Sequence, residues 1–397
     1  MLSRASQTGS TRWVPTRWRS PSSIGRAPRP ASSPASPARP CSICWRMSDA
    51  VVVIGAGLIG ASIGQALVKA GFDVHLEDRT ASHATVAAGR GAGTTEPADP
   101  ASVGLVVVAI PPDAIATVVA KALVRFPHAT VTDVGSVKAA VAAGVAAKGV
   151  EMSRYVGSHP MAGSQHTGPL RAVPELFIDR TWVVTPHGTS TEAAVTRVEE
   201  LARICGAVVV RMDVDSHDQA VAEISHIPQL MSSLTAGHLR GVPSEHLQLA
   251  GQGIRDVTRI AGSDPVLWRQ IVSTNREAIR VALQEIRDDL DQLLGALDEP
   301  KSVEAFIARG RTGARSLPGK HGARSREFVA VVVEIPDAPG ALARLFVDIE
   351  KAGVNVEDVS IEHDPNREVG WLSVAVEPRR ADQLRTAMLN NGWSLRA

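Results

Sequence analysis

One apolar run that passes directly into a glycine-rich turn constrains the amino-terminal half of this chain most. Residues 50–54 read Ala-Val-Val-Val-Ile, which is typical of a strand buried on both faces of a parallel sheet. The turn carries Gly55, Gly57 and Gly60, and a helix of small residues then leads to a second strand that ends at Asp78. This βαβ unit with GxGxxG spacing predicts a doubly wound, Rossmann-type α/β sheet that binds a dinucleotide.

Each position of this motif has a physical task in dinucleotide binding. Gly55 would make the tight turn, Gly57 would let the backbone approach the pyrophosphate, and Gly60 would let the helix pack on the strand. Leu58 and Ile59 stand where the helix begins, and its unpaired N–H groups would face the phosphates.

The ends of the next two strands predict the remaining cofactor contacts. The Asp78 carboxylate would accept hydrogen bonds from the adenosine ribose and repel a 2′-phosphate, which favours NAD over NADP. The neighbouring Arg79 weakens that preference. A buried strand at residues 105–110 ends at Ile110, and Pro111 then turns the chain beside the nicotinamide end of the cofactor.

Length and composition exclude several other classes. The 397 residues predict two or three domains, and three cysteines are too few for a disulfide framework, so a reducing cytoplasm is expected. Cys41 and Cys44 lack a second pair, so no metal site is predicted. No apolar run reaches the roughly 18 residues that cross a bilayer.

Residues 1–46 differ from the rest of the chain. They contain eight arginines, no acid and no hydrophobic periodicity, so we expect a disordered extension in front of Met47, although the composition also resembles a transit peptide. The rest of the chain is mildly acidic, which argues against nucleic acid as a partner. Strand patterns continue to about residue 212, so the NAD-binding domain is expected at 47–212.

Two short loops hold the chemically reactive side chains. Residues 133–138 and 157–166 each follow a strand-like run, and both loops are expected at the carboxyl edge of the parallel sheet. His159 precedes Pro160, which extends its backbone and sets the direction of its imidazole. We predict that His159 is a catalytic base, with Ser136 and Lys138 beside it. The alternative is a pair of ordinary turns with a surface histidine.

From Asp213 the pattern becomes helical, and residues 213–307 are expected to form an all-α domain. A helix carrying His226 meets a kink at Pro228. Arg255 and Arg259 would share one helical face suited to a carboxylate, and the alternative is a solvated pair of arginines bonded to Asp256 or Asp264. A helix running from about residue 265 to 297 is expected to pack within a homodimer.

The carboxyl-terminal residues predict a linker and a small third domain. Residues 308–326 contain several arginines and glycines and no acid before residue 327, which is typical of a mobile linker. Residues 327–397 show a βαββαβ pattern, which predicts a ferredoxin-like α+β domain.

Four motifs occur together in this chain: Asp133-Val-Gly-Ser-Val-Lys138, Gly157-Ser-His-Pro-Met-Ala-Gly163, the helix bearing His226, and Arg255-Asp-Val-Thr-Arg259 leading to Trp268. Their combination resembles prephenate dehydrogenase of tyrosine biosynthesis, over about residues 48–300. Residues 327–397, with Asp337-Ala-Pro-Gly340 and Gly353-Val-Asn355-Val, are similar to an ACT domain, by which many amino-acid pathway enzymes sense their end product.

The resemblance implies NAD-dependent oxidative decarboxylation of prephenate to 4-hydroxyphenylpyruvate. His159 would take the ring-hydroxyl proton, and Ser136 would bond that hydroxyl and orient His159. The residues expected to bind substrate are Arg259, His226, Ser164, Gln165 and Lys138. Family members often carry an acid where this chain has Gln165, so prephenate is expected rather than arogenate. An aromatic amino-acid effector would bind near Asp337, Gly340 and Asn355.

Two rival interpretations belong to other classes. A non-catalytic amino-acid sensor would not need to keep Ser136, His159 and Arg259 together. A 3-hydroxyacid dehydrogenase or imine reductase usually relies on a lysine in its helical half, and residues 213–297 contain none.

Overall fold

The computed structural model describes residues 49–162, 168–317, 328–363 and 369–396. Its strands are β1 (Ala50–Ile54), β2 (Val74–Glu77), β3 (Val103–Val108), β4 (Thr130–Asp133), β5 (Gly157–Pro160), β6 (Thr181–Thr185), β7 (Val208–Arg211), β8 (Val329–Pro336), β9 (Asp358–His363), β10 (Val369–Val376) and β11 (Leu395–Arg396). Its helices up to residue 295 are α1 (Leu58–Lys69), α2 (Ala81–Gly89), α3 (Pro112–Arg125), α4 (Ala139–Ala146), α5 (Glu192–Ile204), α6 (Val214–Val221), α7 (Ile227–His238), α8 (Ser244–Leu247), α9 (Gln252–Thr258), α10 (Pro265–Thr274) and α11 (Arg276–Gly295). The remaining helices are α12 (Pro300–Ser316), α13 (Ala341–Lys351) and α14 (Pro378–Asn390). Across these described ranges, no helix is both long and apolar enough to pass through a bilayer.

A four-stranded parallel sheet in the order β2-β1-β3-β4 forms the first core. Alternate residues of β1 point to opposite faces. Val51 and Val53 pack in one apolar cluster with Leu67 of α1, whereas Val52 packs in the other with Val119 of α3. Because both faces are covered, these strands read as continuous apolar runs. The Rossmann-type prediction is confirmed.

The strands after β4 correct the expectation of one parallel sheet extending to residue 212. They form a second sheet in the order β5-β6-β7, in which β5 and β6 are antiparallel. A single parallel bridge between Val131 and Tyr155 joins the two sheets. The connection from β5 to β6 contains short 3-10 turns at Pro169–Arg171 and Pro174–Phe177 and no α-helix in its described part. A parallel return normally requires a crossover helix, so the chain reverses direction here.

The helical region departs from the predicted pattern in two places. The turn of helix between α6 and α7, at Ala222–His226, is a π-helix. The helix was expected to become irregular at Pro228, and the irregular turn instead precedes that proline. The single helix expected from residue 265 to 297 is wrong, because it breaks at Asn275 into α10 and α11. Asn275 is buried and its amide donates a hydrogen bond of 2.8 Å to the Asp218 carbonyl oxygen. That tertiary bond offsets the loss of helical continuity.

The expected linker at 308–326 is also wrong in its first part. Helix α12 continues to Ser316, while residues 318–327 lie outside the described ranges. Alanine and arginine favour helix, and they outweigh the cost of about 1 kcal/mol for each of Gly310 and Gly313.

The carboxyl-terminal residues form a separate sheet with the order β11-β8-β10-β9, antiparallel throughout. Helices α13 and α14 cover one face, where Leu345, Leu372, Leu384 and Met388 are fully buried. The element order βαββαβ is the one expected from the sequence.

Candidate active site

A cavity of about 370 Å³ lies where the glycine turn, the loops after β3, β4 and β5, and helix α10 meet. It brings together five residues predicted to bind the cofactor and the two predicted to be catalytic. Its lining residues are Gly57, Leu58, Ile59, Ala109, Ile110, Pro111, Pro112, Val134, Gly135, Ser136, His159, Pro160, Ala162, Gly168, Leu267 and Ile271. The last two belong to the helical region, so the cavity is a cleft between the sheet and the helices.

The three glycines of the turn have distinct surroundings. Gly55 adopts a φ of +103°, and a Cβ there would lie 2.2 Å from the Ala109 carbonyl oxygen. A Cβ at Gly60 would lie 1.9 Å from the Gly55 carbonyl oxygen, so this glycine lets α1 pack against the turn. At Gly57 a Cβ would meet nothing within 4 Å. The space beside Gly57 therefore suits a bound group that approaches the backbone.

Asp78 connects the end of β2 to the glycine turn. One carboxylate oxygen accepts the Ala56 N–H at 2.7 Å, and the other accepts the Thr80 N–H at 2.7 Å. These bonds hold the carboxylate beside the turn, where the motif requires an acid. Arg79 is exposed, and neither residue lines the cavity.

A buried polar cluster lies beneath the cavity, and it corrects the prediction that Lys138 binds substrate. The Lys138 ammonium is about 1% exposed and forms a short ion pair with Asp133 while donating to the Ser158 carbonyl oxygen at 2.8 Å. Tyr155 donates its hydroxyl to the same carboxylate at 2.8 Å. Burial lowers the pKa of Lys138 and raises that of Tyr155 well above its usual value. Lys138 therefore joins β4, β5 and α4 and does not face the cavity.

His159 faces the cavity, and its ring is oriented by a residue that the sequence did not suggest. Its Nδ1 lies 3.0 Å from Nε2 of His217, whose Nδ1 lies 2.8 Å from Oδ1 of Asp218. Burial, followed by the charges of His217, Lys138 and His226, lowers the pKa of His159 well below 6.5. His159 is therefore neutral at pH 7, as a general base must be. Ser136 lines the same cavity, but the hydrogen bond found for the His159 ring goes to His217.

His226 is buried in the π-helix close to this group. The Asn275 amide nitrogen lies 3.2 Å from His226 Nδ1 and also donates to the Asp218 carbonyl oxygen. A carbonyl only accepts, so the atom between them is the amide nitrogen and it donates to His226 as well. Burial lowers the pKa of His226 to about 4. The neutral ring therefore carries its proton on Nε2, on the side away from Asn275.

Three further residues were predicted to bind substrate, namely Arg259, Ser164 and Gln165, of which the structure describes only Arg259. Arg259 is exposed at the start of a 3-10 turn, Arg259–Gly262, whose neighbour Ser263 donates to Gln229 of α7 at 3.2 Å. It is not among the lining residues. Ser164 and Gln165 lie outside the described residues.

A second cavity, of about 460 Å³, lies in the carboxyl-terminal region. Asp337 and Gly340, both predicted to bind an effector, line it together with Leu342, Ile361 and Gly370. The third predicted residue, Asn355, does not line it, and its amide donates to the Glu357 carboxylate at 2.7 Å. Within the described residues, no cluster of three or more His, Cys, Asp or Glu side chains is arranged to hold a metal ion.

Comparisons with known proteins agree with this geometry. Residues 63–211 match the family model "Prephenate dehydrogenase, nucleotide-binding domain", and residues 213–308 match "Prephenate dehydrogenase, dimerization domain". A relative in Streptomyces niveus, "Probable prephenate dehydrogenase NovF", is 34% identical over 355 residues, which cover 86% of this chain and 98% of the relative.

Two solved structures each resemble about two thirds of the chain. Prephenate dehydrogenase from A. aeolicus, solved with hydroxyphenyl propionate and NAD+, is 25% identical with a TM-score of 0.60 and covers 67% of this chain and 97% of its own. Synechocystis arogenate dehydrogenase is 27% identical with a TM-score of 0.58 and covers 67% and 98%. Matches to both domain models and to a relative along nearly its whole length establish that this chain belongs to the prephenate dehydrogenase family.

Proposed function

We propose that the protein is a prephenate dehydrogenase, which oxidises and decarboxylates prephenate to 4-hydroxyphenylpyruvate with NAD. One observation carries the proposal beyond family membership. A neutral, oriented imidazole at His159 lines the same cavity as the open side of the glycine turn at Gly57. A base and a dinucleotide site that share one cleft suit removal of a proton from a hydroxyl group and of a hydride from the carbon that bears it.

The residues present fit NAD. Gly57, Leu58 and Ile59 would receive the pyrophosphate at the amino terminus of α1, and Ile110 and Pro111 would contact the nicotinamide end. Asp78, held beside the turn by the Ala56 and Thr80 N–H groups, would accept the ribose hydroxyls and disfavour a 2′-phosphate. Bound NAD supplies the hydride acceptor.

The remaining steps belong to side chains of the protein. His159 takes the proton from the ring hydroxyl, and Ser136, on the same wall of the cavity, donates a hydrogen bond to that hydroxyl. Departure of carbon dioxide makes the ring aromatic and the step effectively irreversible. A positioned base contributes roughly 10²–10⁴-fold to such a reaction.

Two side chains from the helical region would hold the rest of the substrate. We assign Arg259 to a substrate carboxylate, because a guanidinium binds a carboxylate through two parallel hydrogen bonds. His226, whose proton lies on Nε2, would donate to the side-chain end of the substrate. Replacing Arg259 by alanine should raise KM for prephenate more than it lowers kcat, and an unchanged KM would remove this assignment.

Arogenate is the second candidate substrate, since the Synechocystis relative is an arogenate dehydrogenase. The neutral Gln165 favours the keto acid over the amino acid, because a carboxylate at that position would pair with the arogenate ammonium. The decisive assay follows absorbance at the NADH band after prephenate or arogenate is added with NAD. Turnover of prephenate supports the proposal, and turnover of arogenate alone supports the alternative. Turnover of neither would mean that the chain is a non-catalytic sensor or acts on a different hydroxy acid.

We further propose that residues 327–397 form a ferredoxin-like ACT domain that regulates the enzyme. The cavity beside Asp337 and Gly340 is the expected site for tyrosine or another aromatic amino acid. It combines apolar walls, such as Leu342 and Ile361, with a turn whose carboxylate can meet an ammonium group. Asn355 would take part only if it exchanges its bond to Glu357.

We also propose that the protein acts as a homodimer in the cytoplasm. Helices α11 and α12 expose apolar side chains in one chain, notably Leu290, Leu294 and Ile307. A second copy would cover them, as expected for the region that matches a dimerization domain. A monomeric mass by light scattering would contradict this proposal.

A further inference from the structure

Two side chains outside the cavity bear directly on the chemistry of His159. His217 and Asp218, consecutive residues of α6, are about 1% and 6% exposed and form a chain of hydrogen bonds that starts at His159 Nδ1. The two imidazoles meet edge to face, with centroids 5.2 Å apart. The direction of these bonds decides which nitrogen of His159 holds the lone pair.

The direction follows from the groups that surround Asp218. Its Oδ1 accepts the Lys138 backbone N–H at 2.8 Å, and its Oδ2 accepts the Ala139 N–H at 2.9 Å, both where α4 begins. A backbone N–H can only donate, so both carboxylate oxygens act as acceptors. His217 therefore donates from Nδ1 to Oδ1, and a neutral His217 keeps its lone pair on Nε2. His159 must then donate from Nδ1, which leaves the lone pair of His159 on Nε2.

We propose that His217 and Asp218 are positioning residues that hold His159 in the tautomer with a basic Nε2 and stabilise its protonated form. This inference rests on the proposed role of His159 as the base. The charged and titratable groups around His159 are His217 from α6, His226 from the π-helix and Lys138 ahead of α4. A positive charge on any of these groups disfavours a positive charge on His159, whereas a neutral His217 accepts a hydrogen bond from it through Nε2. Asp218, reached through His217, is the carboxylate on the path that leads from His159 Nδ1.

The alternative is that His217 and Asp218 only fasten α6 to the start of α4. Both roles predict a loss of stability when the contacts are removed. Only the positioning role predicts a change in the tautomer of His159 and in the pH dependence of the reaction, so these are the quantities to measure.

The first test is the tautomer in the full-length protein. Nitrogen-15 spectra of labelled histidine side chains, assigned with His159→Asn and His217→Gln variants, should show a proton on Nδ1 of His159 and none on Nε2 at pH 7.5. A proton on Nε2 would overturn the inference. This measurement needs no turnover, so a protein that shows the expected tautomer but does not oxidise prephenate would contradict the proposed function alone.

The second test separates positioning from packing. His217→Phe keeps a ring but removes both hydrogen bonds, so kcat should fall by roughly 10²–10⁴-fold, as when the orienting acid of a catalytic histidine is removed. The acid limb of the kcat/KM profile should move to lower pH, because protonated His159 loses its acceptor. His217→Gln can accept from His159 and donate to Asp218, so it should recover most of kcat.

Asp213→Ala is the matched control. The Asp213 side chain caps the same helix by accepting the Ser216 N–H at 2.9 Å. Its carbonyl oxygen accepts the His217 backbone N–H at 3.0 Å, and the substitution leaves that carbonyl in place. Loss of the cap should lower the melting temperature and leave the pH profile unchanged. Equal pH profiles for His217→Phe, Asp213→Ala and the parent protein would overturn the positioning role. If His217→Phe does not fold, the His217→Gln kinetics and the tautomer still decide between the two roles.

Discussion

At the scale of single residues, a buried ion pair between Lys138 and Asp133 supports the cavity but does not line it. Asp133 ends β4 and accepts hydrogen bonds from Lys138, Tyr155 and the Gly135 N–H. Burying an ammonium and a carboxylate costs more than they recover unless further bonds satisfy them. Here two further donors, Tyr155 and Gly135, satisfy the carboxylate, and the Ser158 carbonyl oxygen accepts from the ammonium. This buried polar cluster therefore supports the two loops that carry Ser136 and His159.

The first prediction concerns His159. His159→Asn keeps a polar side chain of similar reach but has no basic nitrogen, so kcat should fall by at least about 10²-fold. The dissociation constant for NAD, measured by fluorescence titration, should stay within about twofold, because the change alters no residue of the glycine turn. Near-normal turnover would remove His159 from the role of base.

The second prediction concerns acid stability and His226. Its pKa is about 4 in the folded protein and near 6.5 in the unfolded chain. Between those pH values the unfolded chain binds a proton that the folded chain does not, so stability is lost as pH falls below 6.5. From pH 7 to pH 5 this residue should cost about 2 kcal/mol.

Urea denaturation at the two pH values measures that loss. His226→Gln should lose less stability than the parent protein over this interval. The control, His128→Gln, alters an exposed histidine and should behave like the parent. An acid sensitivity equal in all three proteins would show that His226 does not carry the effect.

At the scale of elements, irregular turns bring the functional groups together. The π-turn at Ala222–His226 and the break at Asn275 each interrupt a helix, and the Asn275 amide bonds His226 across the two interruptions. Leu267 and Ile271 of α10 then form the helical wall of the cavity. Gln270 of the same helix donates to Asp113 of α3 at 2.8 Å, which joins the helical region to the sheet region.

The third prediction separates two glycines of the β1–α1 turn. Gly60→Ala would place a methyl group within 1.9 Å of the Gly55 carbonyl oxygen, so α1 must move and stability should fall by about 1–3 kcal/mol. Gly57→Ala meets no protein atom and has an ordinary φ of −75°, so the melting temperature should hardly change. Its affinity for NAD should nevertheless fall at least tenfold, because the methyl group would stand where the pyrophosphate approaches. Equal NAD affinity in Gly57→Ala and the parent would contradict the proposed cofactor site.

At the scale of the whole molecule, the proposed catalytic cleft and the proposed regulatory site lie in different regions of the chain. The two solved relatives each cover 67% of this chain and nearly all of their own length. The carboxyl-terminal region has its own apolar core, built around Leu345, Leu372 and Leu384. Its removal should therefore leave the cleft intact.

The fourth prediction follows from that division. A chain that lacks residues 327–397 should keep kcat within a few-fold and lose inhibition by tyrosine or another aromatic amino acid, measured from initial rates with prephenate. Asp337→Ala, in the complete chain, should weaken the same inhibition. Inhibition that persists in the shortened chain would place the effector outside this domain.

The sequence by itself determined the local structures and the positions of the chemical groups along the chain. The β1–α1 turn is predicted by the spacing of Gly55, Gly57 and Gly60, and buried strands are predicted by continuous apolar runs. Both signals depend on neighbours only a few residues apart. The two loops that carry Ser136 and His159 were predicted for the same reason. The start of α10 near residue 265 was also correctly predicted, and Asp264 caps this helix by accepting the Val266 N–H at 2.8 Å.

Only the tertiary structure decided the partners of those groups. His217 and Asp218 are 58 and 85 residues from His159 and Asp133, respectively, and consecutive helical residues share no face, so no spacing marks them as a pair acting on His159. The burial of Lys138, the antiparallel turn from β5 to β6 and the break at Asn275 likewise depend on contacts between distant segments. Local patterns of polarity and conformational preference do not encode how distant segments pack, so they do not predict these contacts.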